Sequence, residues 1–552
     1  MAPLNFLLSL LLVTAVTSED PIVQVSKGSL QGIWRVSTNG RNFASFLGIP
    51  YAQPPIGRNK FKEPQAIKSW TGVKNATTVP SACLQFDPFS NTVLGNEDCL
   101  FLNIHTPDPS EDALLPVVVF IHGGGFLYGA GGQYDAVHLM DRDVIVVTFN
   151  YRLGPLGFLS TGDDQIPGNT GLKDQSFALK WVQDNIIKFG GDPYSITLMG
   201  SSAGAASVHY HYLSPLSKGT FHRGFASSGS AFVPWAYDTK PAEKAEALAA
   251  IIGCPTTDTS EMANCLKNKS GEDIVTAQIQ MFEWSQHWFS LFAPTAEAPG
   301  TKKPFLTQHP YIATEAGAMQ PVPLIACEMA YEGLYPGAIF QANPELLTEL
   351  ESNWEHLASN IFKYSDTLPV DLRASVAEKI RQEYLDGKPV GLDTFTGLVE
   401  ALGDRLLKDG DGKLAYIHAQ KTLAPTYVYR FAYRWQYSLT NIMAGNDNNY
   451  GTSHGDDIML FFRYGVPDAT RPEDVRMRDI FLDMIYSFAS TGVPELTDGP
   501  EWLEVSPGEP EVNYLDITGP DDIEMKSTAD FGHKVFWDNL GFNENENFCV
   551  SN

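Results

Sequence analysis

Positive charge is scarce in this chain: 38 Lys and Arg stand against 65 Asp and Glu, for a formal net charge of −27 and a pI near 4.8. A balance this acidic excludes nucleic acid and anionic membrane surfaces as principal partners. Cysteine is also sparse, six in 552 residues, so the core does not depend on a disulfide framework. Runs of membrane-spanning length are missing. The apolar stretch Phe6 to Val16 falls well short of the ~20 residues a span needs. With small residues at Val16-Thr17-Ser18 behind it, it reads as the core of a secretory signal over residues 1–18, although its leading segment lacks Lys and Arg. The tail Asn547 to Asn552 is neither a lipid-anchor signal nor an ER-retention tetrapeptide. The expectation is a secreted protein whose mature chain begins near Glu19, with no membrane partner. The acceptor sequons Asn75-Ala76-Thr77 and Asn268-Lys269-Ser270 fit that route.

Repeats and low-complexity linkers are absent as well. Instead, apolar strand-like runs (Val117–Ile121, Val144–Phe149, Ile196–Met199, Val322–Ala326, Tyr427–Phe431) alternate with helix-like ones (Leu172–Phe189, Pro344–Tyr364, Val370–Leu385, Pro472–Ser490). That alternation predicts the α/β class, with a mostly parallel central sheet covered by helices on both faces. Residues 19–552 read as one domain. Pro21 to Trp34 alternates and predicts a small antiparallel piece at the N-terminal edge.

The most informative local feature is Gly200-Ser201-Ser202-Ala203-Gly204, directly after the apolar run ending at Met199. Composition alone yields about 0.3 such pentapeptides in a chain of this size, so context has to decide its meaning. A strand feeding a sharp turn, with a helix from Ala205 to Leu213 beyond, presents the Ser202 hydroxyl above a sheet edge and aims a helix N-terminus at it. Upstream, Ile121-His122-Gly123-Gly124-Gly125-Phe126 follows another strand. Successive glycines there leave N–H groups uncovered. Gly124, Gly125 and Ala203 are the candidate donors to an oxyanion. Downstream, His454 in Ser453-His454-Gly455 is the candidate base. The acid has to lie between nucleophile and histidine. Glu332, followed by Gly333, is favoured over Glu328 four residues earlier, and Asp404 is a more distant rival.

Together these segments resemble the type-B carboxylesterase and cholinesterase family. The likeness is carried by Phe46 to Ala52 with Pro54-Pro55-Ile56-Gly57, Glu97 to Ile104, and Asn150-Tyr151-Arg152. It continues with Gly168-Asn169, Gly171 to Gln175, Phe189 to Pro193 and the serine motif. It implies an α/β-hydrolase fold and acyl transfer through Ser202, Glu332 and His454 without metal or organic cofactor. It places the acid on the Glu of a Glu-Gly pair, which selects Glu332. It supports pairing Cys83 with Cys99 and Cys254 with Cys265. It also matches Trp235 to an acyl-pocket position and Ser228 to a position beside the triad. Trp284, Trp288 and Phe289 form a dense aromatic stretch suited to walling a gorge. Cys327 reads as a buried thiol. Cys549 is open to two readings, a free or capped thiol on the tail, or an interchain bond joining a homodimer, as in some members.

Two departures narrow the substrate. Ser201 stands where cholinesterases carry Glu, and the Cys83–Cys99 segment has no Trp to bind choline through its π face. Both disfavour choline esters and point to a secreted carboxylesterase, similar to those of insects, acting on neutral, fairly apolar small-molecule esters. Narrower alternatives are a juvenile-hormone or odorant esterase, although juvenile hormone esterases usually carry Gln at the Ser201 position. A lipase-like enzyme and, in a different class, a non-catalytic adhesion relative complete the alternatives.

Overall fold

The computed structural model describes residues 19–284 and 288–542; the expected signal and Cys549 lie outside them. Eleven strands form one sheet. In chain order they are β1 (Ile33–Val36), β2 (Asn42–Pro50), β3 (Phe101–Thr106), β4 (Leu115–Ile121), β5 (Ile145–Phe149), β6 (Gly191–Ser201), β7 (Arg223–Ser227), β8 (Leu324–Met329), β9 (Thr426–Phe431), β10 (Val512–Gly519) and β11 (Asp522–Thr528). Their spatial order is β11-β10-β9-β8-β7-β6-β4-β5-β3-β2-β1. From β5 to β10 every neighbouring pair is parallel, whereas β1, β2 and β3 at one edge and β11 at the other run antiparallel. This is the mostly parallel sheet expected from the alternation. Ile22–Val25 and Gly28–Gln31 pair antiparallel at the N-terminal edge, as Pro21 to Trp34 predicted, and Val73–Asn75 joins them in parallel.

The period of two explains why these runs are buried on both sides. Val117, Val119 and Ile121 of β4 enter one core cluster, while Val118 and Phe120 enter a second across the sheet. Helix α1 (Thr170–Asn185) and helix α2 (Ala203–Leu213) pack into the first. Helix α3 (Pro472–Thr491) presents Met477, Phe481, Met484 and Phe488 to the second. The helix expected over Pro344–Tyr364 is two helices, Glu345–Ser352 and Trp354–Ile361. They are broken at Asn353, whose backbone (φ −127°, ψ 28°) leaves the helical region.

Several of the resemblance motifs frame the sheet. Arg152, on the loop after β5, grips Asp174 of α1 through Nε and a terminal guanidinium nitrogen, each at 2.7 Å, with both side chains buried. Asn150 donates to the carbonyls of Ser81 and Cys99 and accepts from the Gly131 N–H, which ties the first disulfide segment to the sheet. Both disulfides are present, Cys83–Cys99 and Cys254–Cys265, and Cys327 is a buried free thiol. Among the described residues no helix is long and apolar enough to cross a membrane.

Candidate active site

Ser202 stands between the last residue of β6 and the first of α2 at φ 59°, ψ −121°, a conformation a non-glycine residue adopts only under strain of about 1–3 kcal/mol. The flanking glycines make that turn possible by proximity. A Cβ on Gly200 would lie 2.2 Å from the Gly204 carbonyl oxygen, and one on Gly204 would lie 2.0 Å from that of Ile121 at the end of β4. The turn is further fixed by the Ser202 N–H, which donates to Ser227 O at 2.8 Å. The hydroxyl does not protrude into bulk water. Ser202 is buried and opens into a cavity of about 50 Å³, shared with Gly123, Gly124, Ser201, Tyr335 and His454.

His454 and Glu332 arrive on adjacent loops at the ends of β8 and beyond β9. A parallel bridge between Tyr331 and Ser453, with the Tyr331 N–H donating to Thr452 O at 3.0 Å, sets the two loops side by side. His454 Nδ1–H then donates to Glu332 Oε2 at 2.7 Å. The other carboxylate oxygen, Oε1, accepts from Ser228 Oγ–H and from the Met329 N–H, each at 2.6 Å. Glu332 is wholly buried, so these donors replace the water it gives up. No direct hydrogen bond joins Ser202 to His454 among the described residues. In ligand-free enzymes such contacts are often long and close only around substrate.

The two rival acids are elsewhere. β8 runs on to Met329, past the Ala326 expected from sequence, so Glu328 sits within the strand, paired in register with Arg430. Burial pushes its carboxyl up to about 8, against the opposing pull of Lys408. Asp404 accepts from Lys408 Nζ at 2.8 Å and from Tyr384 OH at 2.9 Å.

Gly124 (φ 106°) and Gly125 (φ 58°) both require left-handed backbone. A Cβ on Gly124 would meet the Tyr128 carbonyl oxygen at 2.0 Å, and one on Gly125 the Trp288 carbonyl oxygen at 2.8 Å. The N–H groups of Gly124, Gly125 and Ala203 donate to no described protein atom. Gly124→Ala keeps the N–H, but its Cβ cannot coexist with the Tyr128 carbonyl and must swing the donor away, so kcat for 4-nitrophenyl butyrate is expected to fall by about 10²–10³, as when one oxyanion donor is lost. Gly40→Ala is the control, since Gly40 has the same backbone sign (φ 91°) in open space; it should leave kcat unchanged.

Aromatic residues wall the site. Tyr335 lies against the His454 ring with centroids 5.2 Å apart, and its hydroxyl pairs with that of Tyr128 at 2.8 Å. Phe289 meets Tyr335 edge-on at 5.9 Å and stacks on Trp235 at 4.9 Å. Trp235 is thus separated from the Ser202 cavity by two rings, Phe289 and Tyr335, and lines a larger cavity. Trp284, Trp288 and Phe289 do gather around an apolar cavity, with Pro336 and Phe340. The segment closed by Cys83 and Cys99 forms a hairpin, Gln85–Asp87 paired with Thr92–Leu94. Its tip residue Phe89, 44% exposed, packs on Trp288 (5.4 Å) and Tyr128 (5.7 Å).

Sequence reasoning missed Tyr335, Tyr128 and Met329. Tyr335 stands three residues past Glu332, on the turn that presents it, so its place near His454 follows once Glu332 is singled out. A backbone donor such as Met329 carries no side-chain signal at all.

Comparison with known proteins bears on what this arrangement does. The Carboxylesterase family model matches residues 19–536. A carboxylic ester hydrolase of Bombus ignitus is 40% identical over 535 residues, covering 96% of this chain and 95% of that protein. Venom carboxylesterase-6 of Apis mellifera is 38% identical, covering 95% of each. The crystal structure of juvenile hormone esterase from Manduca sexta, with OTFP covalently attached, superposes with a TM-score of 0.83 at 29% identity, covering 95% of this chain and 99% of that one.

Proposed function

The chain belongs to the carboxylesterase family as a carboxylic ester hydrolase with the α/β-hydrolase fold, and from that premise we propose that it acts through Ser202, His454 and Glu332. The supporting observation is the buried hydrogen bond from His454 to Glu332 beside a cavity that Ser202 and His454 share. His454 takes the Ser202 proton as the oxygen attacks the ester carbonyl. The carbonyl oxygen becomes an anion opposite the N–H groups of Gly124, Gly125 and Ala203. His454 returns the proton to the departing alcohol, and water then repeats the sequence on the acyl-enzyme. Glu332 orients the imidazole and balances its charge, and Ser228 and Met329 hold Glu332.

The substrates are neutral, fairly apolar esters. Tyr128, Tyr335, Leu439 and Ile458 line the cavity, and Ser201 brings no carboxylate to it. Residues 19–552 act as one catalytic unit, because a single sheet draws strands from both ends of the chain. Residues 1–18 direct secretion. Asn75 and Asn268 are exposed and serve as glycan sites on that route.

Hydrolysis of 4-nitrophenyl esters from acetate to octanoate tests the reading, with acetylthiocholine as the cationic comparison. Turnover of the neutral series, with kcat/KM at least tenfold above that for acetylthiocholine, is expected. A protein inert toward every ester overturns it.

A further inference from the structure

Three consecutive residues of the loop after β4 are left-handed: Gly124 (φ 106°), Gly125 (φ 58°) and Phe126 (φ 59°). Glycine takes that backbone readily, whereas phenylalanine keeps it only where its surroundings impose it. The Phe126 carbonyl accepts from the Gly154 N–H at 2.7 Å. Its side chain is fully buried, with the ring centroid of Phe158 5.0 Å away and that of Trp235 6.2 Å away.

Gly125 is backed by a second ring. The Ser290 N–H donates to Gly125 O at 2.8 Å, and a Cβ on Gly125 would come within 3.1 Å of Phe289 Cδ1. Phe289 in turn lies flat on Trp235, with the two planes 19° from parallel. Trp235 is thus common to both supports of the donor loop, although it is not among the residues that line the Ser202 cavity. The indole is itself tethered, its Nε1–H donating to Leu406 O at 2.8 Å. Leu406 belongs to the π-helical turn Asp404–Lys408, a form frequent at functional sites. That turn follows Gly403, where a Cβ would lie 3.3 Å from the Cβ of Glu332. One side chain therefore ties the glycine loop to the element packed behind the acid.

We propose that Trp235 is a positioning residue for the oxyanion donors: through Phe126 and Phe289 it holds the Gly124 and Gly125 N–H groups in the directions the tetrahedral intermediate requires. This role rests on the esterase reading above and differs from the acyl-pocket place that the family likeness implied for Trp235. The two roles have different kinetic signatures. A pocket wall touches the acyl chain in ground state and transition state alike, so its loss alters KM and the preference among chain lengths. Donors that meet full negative charge only in the transition state act on kcat, and their displacement by about 1 Å costs on the order of 10²-fold.

Steady-state kinetics of the full-length protein with 4-nitrophenyl acetate and octanoate separates them. Trp235→Ala should lower kcat by about 10–10² for both esters, with KM and the octanoate-to-acetate ratio of kcat/KM within about threefold of the unmodified protein. Trp235→Phe keeps a ring beside Phe126 and Phe289 and should recover most of that loss. In the double variant with Gly124→Ala the two losses should fall short of their product, because the donor is already displaced, whereas a contribution to stability alone combines in full. Full combination overturns the role. So does a kcat unchanged within about twofold, or a chain-length preference altered by about tenfold at unchanged kcat. If Trp235→Ala does not fold, Trp235→Leu takes its place in the cycle. An unmodified protein inert toward both esters removes the esterase reading, whereas an active one whose Trp235 variants keep their kcat removes only the positioning role.

Discussion

Replacing Ser202 with alanine is expected to lower kcat for 4-nitrophenyl butyrate by about 10⁶, the loss seen when one member of a triad that works as a unit is removed. A residual rate of about 10³–10⁴ over water should persist, since the N–H groups of Gly124, Gly125 and Ala203 are untouched. The fold gives no reason for a stability change. The Ser202 backbone conformation is as strained for alanine as for serine, and its hydroxyl holds no other residue in place. Steady-state kinetics with a parallel melting curve makes the test. Activity within tenfold of the unmodified enzyme would remove Ser202 as the nucleophile.

Glu332→Gln should cost about 10⁴ in kcat, and the direction of its hydrogen bonds says why. Ser228 Oγ–H and the Met329 N–H both donate to Oε1. A glutamine keeps its amide oxygen there and turns its NH2 toward His454 Nδ1. That nitrogen must then accept, which moves the imidazole proton to Nε2, facing the serine. The base is left in the wrong tautomer, with geometry intact, a change of the kind that costs about 10⁴ in serine proteases. Glu328→Gln should stay within about threefold, since Glu328 makes no hydrogen bond to His454 and burial already pushes its carboxyl up to about 8. Equal losses at both positions, measured with the same ester, would refute the assignment of the acid.

Which parts of this site were legible in the sequence follows from the physics of each. The Ser202 turn was readable because an apolar strand, a glycine-flanked hydroxyl and a helix follow one another without interruption. The glycine run after β4 was readable for the same reason. Spacing and the following glycine favoured Glu332 over Glu328 only weakly, and the family likeness selected it, because the end of β8 decides between them and apolar character stops marking a strand once it reaches Cys327-Glu328. Helix Asp409–Thr422 defeated composition altogether. Asp409, Asp411 and Lys413 suggest a solvated face, yet all three are buried, with Lys413 bound to Asp409 and Asp538. The position of Trp235 behind Phe289 was equally out of reach, since a buried tryptophan reads alike on either side of a stacked ring.

The hairpin closed by Cys83 and Cys99 separates two kinds of heritable change. Ser202 and Glu332 follow strand ends of the central sheet, and His454 lies on a loop bridged to the one that carries Glu332, so their mutual placement depends on the whole sheet. Phe89 rides on a short tethered excursion, pressed against the rim rings and partly in solvent. The tip around Phe89 can therefore vary more freely than its base, where Gln85 and Phe86 are buried and Gln85 holds both the N–H and the carbonyl of Gly129. A change at that tip is thereby set apart from Ser202, Glu332 and His454, none of which lies within the segment.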